Sequence, residues 1–263
     1  MTTQTSPRIE RAADLLFAAR GTGAKLDRLP DDAAPADAAE AWAIQQAVAR
    51  RMGAATGGWK AGIAPGKPPG GALLPEAGLL AAPARFPLPA GAAIGIEAEI
   101  GFRLARDLPG RADGAAYARD EVVDAVAVAC VTIELVESRY AVPDAVPLLH
   151  MLADSLAHRA LVVGADLADW RQADLARLTV RLSIGGVTVV EQAGGNPAGD
   201  PVLPLVWLAN ALPALGMHLA AGQVVTTGSY TGLCTARAGQ RVVARFEGFG
   251  GAEIDLVAAE AAA

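Results

Sequence analysis

The stretch Gly95-Ile96-Glu97-Ala98-Glu99-Ile100-Gly101-Phe102-Arg103-Leu104 alternates with a period of two. Ile96, Ala98, Ile100, Phe102 and Leu104 fall on one side, and Glu97, Glu99, Gly101 and Arg103 on the other. This is the pattern of a half-buried strand, not of a helix, so both glutamates share one face. Side chains two apart on a strand lie roughly 7 Å apart on the same side, close enough to converge on one hard cation with oxygen ligands. Without a cation, such carboxylates repel one another. A third carboxylate would complete the set: Glu134, in the β-branched run 130–136, is the first candidate, and Glu137 is its rival. The alternative for the pair is the solvated face of an edge strand.

Outward from this strand, the front of the chain is helical. Ala12, Leu15, Leu16 and Ala19 recur at helical spacing over residues 9–20, as do Ala41, Ile44, Ala47 and Val48 over 38–52. Residues 57–89 are rich in Gly and Pro and predict loops around short strands. Beyond Leu104, the pattern predicts a helix over 120–129 with Asp120 near its start, then a strand over 130–136. Further strands are expected at 161–163, 178–184, 224–227 and 240–246, and a helix over 204–215 ending at Gly216. No internal repeat is visible, and the Ala-rich tail 258–263 is expected to fray. The fold class is α+β, with a small helical and loop part over 1–85 and a β-rich catalytic part over 86–263.

With 263 residues and 52% hydrophobic content, the chain can bury one core, or a core and a smaller subdomain, without disulfides. A formal charge of −6 provides no basic field, so neither nucleic acid nor an anionic membrane is an expected partner. No apolar run approaches the roughly 18–20 residues of a spanning helix. The polar start, residues 1–11, lacks the order of a secretion signal, and the expected location is the cytoplasm. Cys130 and Cys234 show no CxxC spacing and read as reduced packing residues.

Lys60, in Gly57-Gly58-Trp59-Lys60-Ala61-Gly62-Ile63, is flanked by glycines that let backbone approach a ligand; it is a candidate for binding a carboxylate or moving a proton, or else a surface lysine. Thr226-Thr227-Gly228-Ser229-Tyr230-Thr231-Gly232 follows a predicted strand and offers hydroxyls and amides for a substrate carboxylate, or else forms an ordinary hairpin. His150, His158 and His218 share no ligand-like spacing, and His158 reads as a partly exposed helix histidine near Asp154. There is no G-x-S-x-G elbow for a serine hydrolase.

In order along the chain, Ala41-Trp42-Ala43-Ile44-Gln45, Gly58-Trp59-Lys60, Ile96-Glu97-Ala98-Glu99-Ile100-Gly101-Phe102 and Ile133-Glu134-Leu135-Val136-Glu137-Ser138-Arg139 are followed by Asn196-Pro197, Val206-Trp207-Leu208-Ala209-Asn210 and Gly222-Gln223-Val224-Val225-Thr226-Thr227-Gly228-Ser229. Together these motifs resemble the fumarylacetoacetate hydrolase superfamily, in its branch of 2-keto-4-pentenoate hydratases and 4-oxalocrotonate decarboxylases. The resemblance implies a mixed β-sandwich or roll with flanking helices. It implies Glu97, Glu99 and Glu134, in preference to Glu137, as ligands of Mg²⁺ or Mn²⁺. Lys60 and Glu76 are then the expected catalytic proton carriers, and Lys60, Asp154, Thr227, Gly228 and Ser229 the substrate contacts. The implied activity is hydration of a 2-hydroxy-2,4-dienoate, with decarboxylation of a 2-oxo-3-enedioate as one alternative and a non-catalytic partner subunit as another. A small 2-oxo or 2-hydroxy-dienoic acid is the expected ligand, and a homo-oligomer, or a complex with a related family member, the expected assembly. Where the branch carries "ADN" and small polar residues, this chain has Ala153-Asp154-Ser155-Leu156-Ala157-His158. No histidine precedes His150, which disfavours the carbon–carbon hydrolysis of other members.

Overall fold

A computed structural model describes residues 6–167 and 169–259. The front folds as two helices, α1 (Pro7–Thr22) and α2 (Ala38–Arg51). Pro7 occupies the first turn of α1, where its missing N–H costs nothing, and Gly23 closes the helix in the left-handed conformation. Asp37 caps α2 by accepting from the Glu40 amide, while the Glu40 carboxylate accepts from the Ala36 amide. Ile9, Ala12, Ala13 and Leu16 pack with Ala41, Ile44, Ala47 and Val48 in a core of their own, which also takes in Tyr140.

The Gly- and Pro-rich stretch forms β1 (Thr56–Gly62), β2 (Gly70–Pro75), β3 (Leu79–Ala81) and β4 (Ala84–Pro89), leading into the long β5 (Ala93–Leu104). There follow α3 (Arg119–Asp124), β6 (Val126–Val136), α4 (Leu148–Ala153), β7 (His158–Leu167), β8 (Thr179–Ile184), β9 (Val187–Ala193), α5 (Val202–Ala211), β10 (Val224–Ser229), β11 (Cys234–Arg237), β12 (Arg241–Phe246) and β13 (Gly250–Ala259). The larger sheet runs β2-β1-β10-β5-β6-β7-β3, with β11 also paired to β5; the smaller runs β4-β13-β12-β8-β9. Ile96, Ala98, Ile100 and Phe102 of β5 share one core with Val180, Leu182, Val242 and Ile254 of the smaller sheet, so the apolar side of β5 is buried between the two layers. Its other side bears the glutamates, which open onto a cleft also lined by Leu148 and Leu156.

Several expectations need correcting. The helix expected over 120–129 stops at Asp124, because β-branched Val126, Val128 and Val131 favour extending the next strand backwards. β1 to β3 are hydrogen-bonded into the sheet that carries the glutamates, and β4 into the smaller sheet. Ala258 and Ala259, expected in a frayed tail, pair with Leu88 and Pro89 in β13; residues 260–263 of that tail, like residues 1–5 of the polar start, lie outside the described residues. Among the described residues no helix is long and apolar enough to cross a membrane.

Candidate metal and substrate site

Strand register assembles the site. β5 and β6 are antiparallel, with Glu97 opposite Glu134 and Glu99 opposite Thr132. On the other side of β5, β10 pairs Thr226 with Gly101 but Ser229 with Glu99, so one extra residue is accommodated between them. Gly228 takes φ +99° in this bulge and turns its N–H onto Glu99 Oε2 at 2.9 Å. Asn196 secures the bulge from outside, donating to the carbonyls of Thr227 and Gly228 at 2.9 and 3.1 Å. β1 then pairs in parallel with β10, Lys60 opposite Thr226. That approach needs Gly58, where a Cβ would stand 2.3 Å from the Val224 carbonyl oxygen.

Glu97, Glu99 and Glu134 each present a carboxylate oxygen within 4.8 Å of the others. Thr226 Oγ1 donates to Glu99 Oε2 at 2.5 Å, and Thr132 Oγ1 lies 2.8 Å behind it and donates in turn, since the Thr226 proton is committed. Glu134 is fully buried; its Oε1 accepts from Lys60 Nζ at 2.7 Å and from His158 Nδ1 at 2.9 Å. Its Oε2 is buried with no hydrogen-bond partner. Such an orphan is expensive for a carboxylate and is accounted for if the oxygen is a metal ligand.

The electrostatics agree. Burial, then the charges of Glu134 and Glu97, push the Glu99 carboxyl up to about 8. Burial and Glu134 also hold Glu97 above the usual range. Burial works against charge on Glu134 too, but Lys60 and His158 outweigh it and keep this carboxyl low. Lys60 is likewise opposed by burial and is held above its usual value by Glu134, Glu97 and Glu99. Burial drives His158 down to about 4, so its ring is neutral and donates its Nδ1 proton to Glu134. An all-oxygen set that retains protons for want of positive charge suits a hard divalent cation such as Mg²⁺ or Mn²⁺.

His158 is thus no partly exposed helix residue: it is fully buried at the start of β7. It gets there through a turn in which Ser155, Leu156 and Ala157 all take positive φ, at +52°, +50° and +64°. Strained backbone of this kind persists only where its surroundings enforce it. Asp154 supplies that enforcement. Its Oδ1 accepts from Arg139 Nε, and its Oδ2 from the Arg139 amide at 3.0 Å and Ser138 Oγ at 3.2 Å. Arg139 also donates to the Asp154 carbonyl at 2.6 Å and the His158 carbonyl at 2.9 Å. Arg20 of α1 reaches the same His158 carbonyl at 2.7 Å. The turn brings the Leu156 carbonyl 3.3 Å from Lys60 Nζ.

A cleft of about 450 Å³ contains Lys60, Glu97, Glu99, Leu156, Gly228 and Ser229 among its lining residues. The other sequence candidates stand elsewhere. Asp154 is engaged with Arg139 beneath the cleft, and Thr227 donates its hydroxyl to the Ile100 carbonyl at 2.8 Å. Glu76 is exposed in a short 3-10 turn after β2, and Glu137 pairs with Lys25 and Arg159. His150 accepts from the Leu29 amide in the helical core, and His218 is exposed. Cys130 and Cys234 are free thiols; burial pushes Cys130 up to about 12.

The fumarylacetoacetate (FAA) hydrolase C-terminal family matches residues 45–257. A 2-hydroxyhexa-2,4-dienoate hydratase of Comamonas testosteroni is 31% identical over 161 residues, 61% of this chain and 59% of that one. A 4-oxalocrotonate decarboxylase of Pseudomonas putida is 29% identical over 130 residues, 49% of each chain. These two matches span about half to three-fifths of the relatives' length. A 2-keto-4-pentenoate hydratase of Paraburkholderia phymatum is 28% identical over 257 residues, 92% of this chain and 95% of that one. Among solved structures, 4-oxalocrotonate decarboxylase from Pseudomonas putida G7, complexed with magnesium and adipate, has the same fold, with a TM-score of 0.84 at 22% identity over 97% of this chain and 99% of that one. The chain belongs to the fumarylacetoacetate hydrolase family, with curated relatives named as 2-keto-4-pentenoate hydratases and 4-oxalocrotonate decarboxylases.

Proposed function

We propose that this protein is a divalent-metal-dependent lyase that adds water to a 2-hydroxy-2,4-dienoate, giving a 4-hydroxy-2-oxo acid in the breakdown of aromatic compounds. The observation that carries the proposal is the convergence of three carboxylates, one with an unpartnered buried oxygen, beside a charged lysine in a cleft. Relatives named as hydratases of this substrate type support it. Mg²⁺ or Mn²⁺ would be held by Glu97, Glu99 and Glu134, and would supply positive charge to attract the acid end of the substrate and an electron sink for charge developing at its 2-oxygen.

Lys60 is the proton carrier. Its ammonium has three N–H groups; Glu134 and the Leu156 carbonyl take two, and the third is free for a ligand in the cleft. Delivering a proton to C5 as the 2-hydroxyl loses one converts the dienol into a conjugated 2-oxo acid, which accepts water at C4. Ser229 and the Gly228 turn orient the carboxylate end, and the apolar side chains of Leu148 and Leu156 limit access of other water. Glu76, exposed and outside the cleft lining, has no part in this scheme.

Incubation with Mg²⁺ and 2-hydroxypenta-2,4-dienoate should remove the dienoate absorbance and yield 4-hydroxy-2-oxopentanoate. A second reading, decarboxylation of a 2-oxo-3-enedioate, draws on the same carboxylates and on the relative named for that activity. Release of CO₂ from 2-oxohex-3-enedioate with no hydrated product from either compound would replace the first reading with the second. A chain inert toward both in Mg²⁺ and Mn²⁺ would point to a non-catalytic partner instead.

A further inference from the structure

Asn196, of the Asn196-Pro197 motif, lies outside the carboxylate set yet acts on it through one peptide unit. The Thr227 carbonyl and the Gly228 N–H belong to the same planar peptide and point to opposite sides of it. Asn196 Nδ2 donates to that carbonyl at 2.9 Å, and that N–H donates to Glu99 Oε2 at 2.9 Å. The peptide is pinned from both sides, and polarising its carbonyl makes its N–H a better donor. Asn196 is buried, and its side-chain amide is engaged throughout: the same nitrogen reaches the Gly228 carbonyl at 3.1 Å, and Oδ1 accepts from the Ala198 amide at 2.9 Å. Gln192, near the end of β9, donates to the Tyr230 carbonyl at 2.6 Å. The chain leaving the smaller sheet thus grips three carbonyls of the segment 227–230.

These contacts exclude a second orientation of the peptide. Turning it over changes ψ of Thr227 and φ of Gly228, and presents the Thr227 carbonyl to Glu99 Oε2 in place of the N–H. Gly228 by itself offers little resistance. Its φ of +99° suits glycine, and the turned-over φ is negative, which any residue tolerates. A carbonyl set against the carboxylate would repel it and leave the Thr226 hydroxyl as the one donor to Oε2. Held with its N–H inward, the peptide instead fixes Oε2 and with it the direction of the Glu99 carboxylate.

We propose that Asn196 is a positioning residue for the metal site: it holds the 227–228 peptide with its N–H on Glu99, and so sets the affinity of the three carboxylates for a divalent cation. The proposal rests on the metal-site reading of Glu97, Glu99 and Glu134. It is tested on the full chain by titration with Mn²⁺, the free ion being read from its electron paramagnetic resonance signal below the melting point of each variant. Asn196→Ala should weaken Mn²⁺ binding about tenfold, within the range for groups that orient a metal ligand. Asn196→Asp keeps the size but sets acceptors against two carbonyls, and should lose at least as much. Wild-type affinity in Asn196→Asp would make the residue a space filler and overturn the proposal. Gly228→Ala deletes no contact, and its Cβ would stand 3.6 Å from the Asn196 amide, an ordinary distance. It favours the turned-over peptide, however, and should also cost about tenfold. Because both substitutions act through one peptide, the double variant should bind about as weakly as either single one, whereas an additive loss of about a hundredfold overturns the shared route. If the Asn196 variants do not fold, Gly228→Ala decides: about tenfold weaker binding upholds the held peptide, and wild-type affinity overturns it. Wild-type protein that binds neither Mn²⁺ nor Mg²⁺ removes the metal-site reading, and this proposal with it.

Discussion

Glu97 of β5 and Glu134 of β6 are direct register partners, two like charges facing one another across an antiparallel pair. Opposed like charges destabilise a sheet, the more so when one is fully buried. Here Lys60 and His158 both converge on the same oxygen of Glu134, which lets that residue keep its charge while its second oxygen stays unclaimed. The pair is thus a cost to the fold that a cation would offset, and the consequences are measurable.

Stability should depend on pH in a direction set by Glu99. Its folded value of about 8 lies above the unfolded value of about 4.3, so the metal-free native state binds more protons than the unfolded one between them and loses stability as pH rises. His158, at about 4 against about 6.5 unfolded, acts oppositely but only below about pH 6.5. From about pH 6.5 to 8, then, the protein in EDTA should lose stability, Glu99 contributing up to about 1.4 kcal/mol per pH unit, and its melting temperature should fall. Mg²⁺ or Mn²⁺ displaces the proton, so the melting shift on adding metal should be larger at pH 8 than at pH 6.5. Calorimetry at both pH values checks this; a metal-induced shift independent of pH contradicts ligation by Glu99.

His158 should act through Glu134 on metal affinity. His158→Ala removes the Nδ1 proton that orients Oε1, and partners of this kind affect metal binding by about ten- to a hundredfold. Titration of Mn²⁺ should show that loss, and His158→Asn, whose amide can stand in for Nδ1–H, should recover part of it. Unchanged affinity in His158→Ala would make the histidine a packing residue only.

How far the sequence disclosed this site depends on the range of the interactions that form it. The alternation through Glu97 and Glu99 is local, and it correctly placed both on one strand face. The β-branched run placed Glu134 on a neighbouring strand, although its pairing with Glu97 is a matter of register that no spacing along the chain specifies. His158 reads from its neighbours alone as a helix residue, whereas the turn at 155–157 that buries it is held by Arg139 and Arg20 from other elements. Asp154 carried a visible motif but not its purpose: its partner Arg139 meets it only after the chain has folded back. The sequence of β13 gives no strand signal because Gly250, Gly251, Ala252, Ala258 and Ala259 have little intrinsic strand preference, and pairing to β4 and β12 supplies what they lack.

Asp154→Ala should be strongly destabilising while removing nothing from the cleft. It leaves the buried Arg139 guanidinium without its carboxylate, a loss on the order of 3–5 kcal/mol. It also frees a turn of three left-handed residues to relax, which would withdraw the Leu156 carbonyl from Lys60. A fall in melting temperature accompanied by loss of turnover is expected, against near-normal Mn²⁺ binding in protein kept below its melting point. Full turnover in a destabilised protein would show that the turn does not position Lys60.

Lys60→Met separates proton transfer from metal binding. The methionine keeps most of the stem and removes only the charged end, so packing against β10 and β2 should survive. Because Lys60 and a cation both supply positive charge to Glu134, the variant loses a competitor for the metal, and Mn²⁺ affinity should hold or rise. Turnover should nevertheless fall by about 10²–10⁴, the range for removal of a general acid–base group. Titration of metal and steady-state rates on the same preparation decide the matter. Parallel loss of both would mean that Lys60 serves to hold Glu134 in place; loss of turnover alone assigns it the proton.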